Sequence, residues 1–433
     1  MKIIRHPQKK DWQDVLARPV FDTARETAAV RKILDDVREN GDEALRRYSK
    51  QFDNVEVENL AVSEDELSVA EQRVPEKLKK AIQIAKANIE KFHAAQREEN
   101  SVIETTTGVI CWRKSVAIER VGLYVPAGTA PLFSTVLMLG VPAKLAGCDE
   151  IVLCSPPDTN GKIADAILYT ARVCGIDKVF KIGGAQAIGA LAYGTETIPK
   201  VFKIFGPGNR YVTCAKQIVS QTDAAIDMPA GPSEVAVLAD ETCVPRFVAA
   251  DLLSQAEHGI DSQVLLVTTS EKVIEETLAE IENQLAELPR KEIAERSLAD
   301  SKVILVSDIF EGIAVVNEYA AEHLILAVAD AGNVAERIVN AGSVFIGNYS
   351  CESVGDYASG TNHTLPTGGF ARSFSGLSLD SFVKKITFQQ LTEDGIRNLG
   401  PAIETMAHAE GLDAHKNAVS LRLNELYGLH DSE

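Results

Sequence analysis

Along the first hundred residues, apolar side chains return every three or four positions. "TAAVRKILDDVRENGDEALRRYSKQF" and "PEKLKKAIQIAKANIEKFHAAQ" both show this spacing with charges between, which predicts amphipathic helices. Gly41 interrupts the first, and Pro75 stands near the opening turn of the second, where a missing N–H is tolerated. From about Val121 the period changes. "VGLYVPAG", "DEIVLCSPP", "DKVFKIGGAQ" and "PKVFKIFGPG" are short β-branched or aromatic runs closed by Gly or Pro. Each precedes a helix-like segment: "APLFSTVLMLGVPAKLAG", "KIADAILYTARVCG", "AQAIGALAYG" and "NRYVTCAKQIVS". Such alternation predicts a parallel sheet with right-handed crossovers. After "DMPAGPSE" it resumes through "EVAVLAD", "SQVLLVTT", "KVILVSD", "EHLILAV" and "GSVFIGN".

The pattern predicts an α/β chain of two doubly wound, Rossmann-like domains with parallel sheets, plus small N- and C-terminal helical extensions. The expected division makes 1–20 an N-terminal extension and joins 21–120 with 234–377 as one discontinuous domain. Residues 121–233 form the second domain, inserted in the first. The stretch 378–433 reads as a helical tail with no sheet. Such a tail must pack on something, and a second subunit is one candidate.

Composition narrows the class without changing the fold. A chain of 433 residues is long enough for two or three cores. A net charge of −18 argues against nucleic acid or an acidic membrane as a general partner. No run of about eighteen apolar residues occurs, so no membrane span is expected. "MKIIRHPQKKDWQDV" lacks the apolar stretch of a secretory signal, so a cytoplasmic location is expected. The seven cysteines are odd in number and form no Cys-x-x-Cys, which argues against a disulfide framework or a four-thiolate zinc site. Most read as small buried hydrophobes. Cys154, at a strand end, is the one considered as a nucleophile.

In open α/β sheets, ligands bind beyond the C-terminal strand ends. Those ends here carry Tyr124-Val-Pro-Ala-Gly128, Gly183-Gly-Ala-Gln186 and Gly206-Pro-Gly-Asn209. Small residues let a backbone approach a ligand, and a helix N-terminus favours phosphate. No G-x-G-x-x-G follows a strand, however, so nucleotide binding and plain tight turns both fit.

The eight histidines mark the remaining chemistry. In "DLLSQAEHG", helical spacing puts Gln255 and His258 on one face and Glu257 elsewhere. In "EYAAEHLILAV", Glu322 and His323 border a buried strand, as a tunable acid/base pair requires. "CESVGDYASGTNHTLPTGG" is a polar loop holding Asp356 and His363, and such irregular stretches are often functional. Asp oxygen and His nitrogen together suit Zn²⁺. "HAEGLDAHKN" adds His408, Glu410 and His415 in the tail. For each, a surface or structural role is the plain alternative. His93, alone on its helix, is expected to be structural or solvated.

The strings "GLYVPAGTAPLFSTVLMLGVPA", "FGPGNRYVT", "IDMPAGPSEV", "DLLSQAEHG", "EHL", "SVGDYASGTNHTLPT" and "AHKNAV" resemble the histidinol dehydrogenase family, in order and over nearly the whole chain. The resemblance implies a zinc-containing, NAD-dependent oxidation of L-histidinol through L-histidinaldehyde to L-histidine. It implies zinc ligands at Gln255, His258, Asp356 and His415, which also face substrate. Ser233, His363 and Glu410 would contact substrate as well, with Glu322 and His323 as the acid/base pair. Tyr124, Gln186 and Asn209 would line an NAD site in the 121–233 domain. It further implies a homodimer whose tail reaches the partner's site, carrying His415 and Glu410 across. A zinc-dependent paralogue oxidising another primary alcohol, and a non-catalytic metal-binding scaffold, remain the competing readings.

Overall fold

The structure, a computed structural model, describes residues 1–19, 23–127, 130–228 and 231–429. Gly128, and Pro229 and Ala230 of the "DMPAGPSE" loop, lie outside the described residues. In chain order the strands are β1 (Lys2–Arg5), β2 (Val102–Thr106), β3 (Val109–Ala117), β4 (Arg120–Tyr124), β5 (Glu150–Ser155), β6 (Lys178–Lys181) and β7 (Lys203–Phe205). They continue as β8 (Ala225–Ile226), β9 (Glu234–Ala239), β10 (Gln263–Thr268), β11 (Lys302–Leu305), β12 (His323–Ala327), β13 (Ser343–Ile346) and β14 (Val383–Leu391).

Two parallel sheets follow the alternation. One has the order β6-β5-β4-β7-β8, the other β1-β11-β10-β9-β12-β13. Both are covered on two faces, so their strands are mainly apolar between polar ends, and on the central strands the pleat divides the side chains between two cores. On β9, Val235, Val237 and Ala239 enter one cluster, while Ala236 and Leu238 enter the other. On β5, Ile151 and Leu153 face one way and Val152 and Cys154 the other.

The expected domain division needs correction at the N-terminus. Val30, Leu34, Val37 and Leu45 of helix Thr23–Tyr48 pack with Tyr124, Val152 and Ile188. Ile82, Ala85 and Ile89 of helix Glu76–Ala94 pack with Leu123 and Leu153. These helices therefore cover the five-stranded sheet, not the sheet of residues 234–377. Periodicity reveals that a helix has an apolar face but not which sheet will cover it. Residues 1–20 are likewise more than an extension. The strand β1 pairs with β11, and Trp12 and Leu16 are buried in the six-stranded sheet's core.

Residues Met1–Gln96 and Ile118–Phe382 form one compact unit, and Arg97–Ala117 with Val383–Glu433 form another. The second unit contains a sheet that the reading of the tail as purely helical did not expect. The nine-residue β14 runs antiparallel to β3, which pairs in turn with β2. Trp112 stacks on Phe388 with ring centroids 5.2 Å apart. Helices Glu393–Ala409 and Asp413–Tyr427 complete the unit, and Gly400 lets them approach, since a Cβ there would lie 3.0 Å from Leu423.

Candidate active site

The strand order of the five-stranded sheet reverses at β4, with β5 and β6 on one side and β7 on the other. Such a reversal leaves a crevice at the C-terminal strand ends, and the expected nucleotide residues stand there. Tyr124 ends β4 and is buried, and its hydroxyl accepts from the Gly184 N–H at 3.1 Å. Gln186 is buried in the first turn of helix Gly184–Tyr193. Asn209 caps helix Arg210–Val219, accepting from Tyr211 N at 3.0 Å and Val212 N at 3.1 Å. Gly206 has φ +124°, and a Cβ there would lie 2.1 Å from the Tyr124 carbonyl, so the turn beside β4 requires glycine.

The acid/base candidates gather at the opposite, N-terminal edge of the six-stranded sheet. Crossover helices run antiparallel to the strands, so their C-terminal ends arrive at this edge. Helix Pro245–Ala256 delivers Gln255 in its last turn, and His258 follows just past its end. The helical turn persists that far through a bond from His258 N to Gln255 O of 3.2 Å. His323 opens β12 beside Val235 of β9, with Glu322 immediately before it. Ser233 precedes β9 and is half-buried. Asp356 lies on helix Glu352–Tyr357, and His363 follows in the loop.

Hydrogen bonds hold Glu322 and His323 to a single residue. Glu322 Oε2 accepts from Glu234 N at 2.9 Å, and His323 Nδ1 lies 3.2 Å from Glu234 O. A carbonyl only accepts, so Nδ1 carries the proton and Nε2 is the working nitrogen. Nε2 sits 3.3 Å from Asp356 Oδ1, without the alignment of a hydrogen bond. Glu234 is itself anchored: its carboxylate accepts from Arg18 and from Gly368 N, and Arg18 Nη2 also donates to Tyr319 O at 2.8 Å. Gln255 is buried, and the hydrogen-bond pattern assigns its Nε2 as donor to the Glu352 carboxylate. Its Oε1 then accepts from Glu234 N at 2.8 Å. The opposite orientation sets oxygen against oxygen at Glu352.

The electrostatics follow from burial. Burial pushes the Glu322 carboxyl up to about 7. Burial works against the His323 imidazolium, but Glu322, Asp356 and Glu352 outweigh it and raise His323 to about 10. Desolvation lowers both His258, which is exposed at the surface, and the half-buried His363, favouring neutral imidazoles. His363 Nδ1 contacts Asp356 O at 3.0 Å, and its Nε2 lies 3.1 Å from Thr135 Oγ1.

Ligand-type atoms of His258, Glu352 and Asp356 all lie within 4.8 Å of one another. With Glu322 adjacent, three carboxylates converge where His323 supplies one positive charge. Burying carboxylates without compensation costs several kcal/mol per ion. A dication bound by an imidazole nitrogen and carboxylate oxygens therefore fits this donor set.

Not every expected residue enters this cluster. Glu410 caps helix Glu393–Ala409 and His415 lies in the first turn of helix Asp413–Tyr427, both exposed and both in the second unit. His408 is exposed, 3.9 Å from Asp413. His93 is buried, with Nδ1 2.9 Å from Ile89 O, and is structural. Cys154 is buried among apolar residues, which raises its thiol far above the range of a reactive nucleophile. Sequence reasoning missed Glu352, Glu234, Arg18 and Thr135. Glu352 had a readable sign, four residues before Asp356, once "ESVGDY" is taken as helix.

Fold and site together define an α/β enzyme in which one sheet reverses its strand order and another presents a buried acid/imidazole cluster at its edge. A sequence model described as histidinol dehydrogenase matches residues 16–423. The chain is 60% identical to histidinol dehydrogenase of Bacteroides fragilis, over 98% of this chain and all of that one. It is 58% identical to the Bacteroides thetaiotaomicron protein, again over 98% of this chain and all of that one. The crystal structure of histidinol dehydrogenase from Elizabethkingia anophelis superposes with a TM-score of 0.96 at 56% identity, covering 99% of each chain. The chain belongs to the histidinol dehydrogenase family. It is an oxidoreductase, and its function lies in histidine biosynthesis.

Proposed function

We propose that the chain oxidises L-histidinol to L-histidine in two hydride transfers through L-histidinaldehyde. The observation that carries this reading is the buried Glu322–His323 pair, set beside the donor cluster and held by Glu234. In the first oxidation His323 takes the alcohol proton at Nε2 as hydride leaves the carbon. In the second, Glu322 takes a proton from water adding to the aldehyde while His323 returns its proton to the carbonyl oxygen, and His323, neutral again, takes a hydroxyl proton of the hydrate as the second hydride leaves. A hydrate gives up hydride directly, so no cysteine is needed.

Held by Gln255, His258, Asp356 and His415, a zinc ion would bind the substrate's amino and imidazole nitrogens as a Lewis acid, while Asp356, so engaged, would cease to favour a charged His323. NAD⁺ supplies the hydride acceptor, two per histidine, in a site lined by Tyr124, Gln186 and Asn209. Ser233 contacts the substrate, and His363 and Glu410 hold its imidazole and amino ends. We assign the tail's Glu410 and His415 to the partner's site in a homodimer.

The test is reduction of NAD⁺ by L-histidinol with zinc-loaded protein. Two NADH per histidine are expected, and a chelator should abolish the rate; no NADH under these conditions would sink the assignment. Glu322→Gln should slow aldehyde oxidation more than alcohol oxidation. Equal loss of both half-reactions would remove the water-activating role from Glu322.

A further inference from the structure

Arg18 comes from the N-terminal segment, far in sequence from the acid/base pair. That segment is held against the six-stranded sheet: β1 pairs with β11, Trp12 and Leu16 are buried in its core, and Lys302 Nζ donates to Ala17 O at 2.6 Å. The Arg18 guanidinium grips two other segments at once. Its Nε and Nη2 donate to the Glu234 carboxylate, and Nη2 also donates to Tyr319 O at 2.8 Å. The guanidinium carbon lies 4.0 Å from the centre of the Tyr319 ring, and both Glu234 and Tyr319 are buried. Glu234 opens β9. Tyr319 ends helix Ile309–Tyr319, shortly before Glu322. The chain between them passes through Ala320 at φ +53°, in the left-handed region that a non-glycine residue keeps only under constraint from its surroundings. Glu322 and His323 bond to the N–H and C=O of Glu234, so the placement of that residue governs theirs. A buried ion pair adds little net stability, because desolvation offsets the attraction. A planar guanidinium gripping at two points does fix geometry.

We propose that Arg18 is a positioning residue for the acid/base pair: it clamps the head of β9 to the turn before β12 and, through Glu234, holds His323 in the tautomer with Nε2 free and Glu322 beside it. Arg18 acts through Glu234 and not on the substrate. If the Glu234 carbonyl drifts from Nδ1, the imidazole loses the bond that selects its tautomer and sets its ring orientation. The N-terminal segment thereby belongs to the working site through a single side chain. This rests on the roles of Glu322 and His323 given under Proposed function and adds the residue that places them.

The test compares the zinc-loaded full chain, unsubstituted and as Arg18→Gln, in two measurements. One is steady-state oxidation of L-histidinol with NAD⁺. The other is nitrogen-15 NMR of protein labelled at histidine, with the His323 ring signals assigned by their absence in His323→Gln. Arg18→Gln should lower kcat about 100-fold, the order expected when a reacting group is displaced by about 1 Å. KM for L-histidinol should change little, because substrate contacts are intact. The His323 ring signals should shift. A lower melting temperature with kcat unchanged would mean that Arg18 only stabilises the fold, and it overturns the proposal. A raised KM with kcat unchanged overturns it too, since it would place Arg18 in substrate binding. Unchanged His323 signals overturn it whatever the rate. Absence of NADH with the unsubstituted chain overturns the reading on which the proposal rests, and the proposal with it; normal turnover indifferent to Arg18 overturns this residue alone. Should Arg18→Gln not fold, Arg18→Lys serves instead, because it keeps the charge and loses the fork; unchanged kcat and His323 signals there also overturn the proposal.

Discussion

Glu322 and His323 show how much a single residue's chemistry depends on its neighbours. As a dipeptide, "EH" is an ordinary surface pair. Placed at the start of a buried strand and tied to Glu234, it becomes an acid held near neutrality and an imidazole with one committed nitrogen. The second "AEH", at Ala256–His258, leaves Glu257 half-buried at a helix end, where its backbone bonds to Leu253 O. Asp251, one turn before Gln255, illustrates the cost of such surroundings. Burial raises its carboxyl from 3.8 to about 7. Between those values the folded chain holds a proton that the unfolded chain releases. Its contribution to stability is therefore fully present below 3.8 and is lost as pH rises through about 7. Asp251→Asn should raise the melting temperature by an amount that grows from about pH 4 to pH 7 and then levels off. A gain independent of pH would mean that Asp251 ionises normally.

At the scale of elements, the candidate residues stand at opposite edges of two sheets. The five-stranded sheet offers its C-terminal edge, where small residues and helix N-termini suit a dinucleotide. The six-stranded sheet offers its N-terminal edge, where helix ends bring Gln255 and His258 to β9 and β12. The tight turns of the first edge were legible from Gly and Pro closing each strand. The second was legible only residue by residue. The turn after β7 is locked by a buried pair, Lys216 Nζ to Asp227 Oδ1 at 2.5 Å. Lys216 also donates to Gly206 O at 2.8 Å, and Asp227 Oδ2 accepts from Gly206 N at 2.8 Å. Removing one partner strands a buried charge, so Lys216→Met should cost about 3–5 kcal/mol in urea unfolding and weaken NAD⁺ binding. Adding Asp227→Asn should restore part of that loss. A double variant no more stable than Lys216→Met would contradict the pairing argument.

At the scale of the whole molecule, the homodimer proposed above is testable by complementation. Mixing His415→Ala chains with Glu322→Gln chains should recover part of the activity, because a hybrid dimer would contain one site with both residues intact. No recovery at demonstrated subunit exchange would count against a shared site. Sequence by itself determined the strands, most helices and their alternation, because a period of two or of 3.6 follows from local backbone geometry. It also singled out the chemistry-bearing residues, since His, Asp, Glu and Gln are recognisable wherever they fall. What it left open was every choice between distant surfaces. The N-terminal helices covered the five-stranded sheet, β1 joined the six-stranded one, and β14 paired with β3 across more than two hundred residues. Glu352 entered the cluster, and Arg18 reached Glu234, in the same way. An apolar face or an ionisable side chain carries no record of its partner, so tertiary packing alone decided which groups meet and how far burial shifts them.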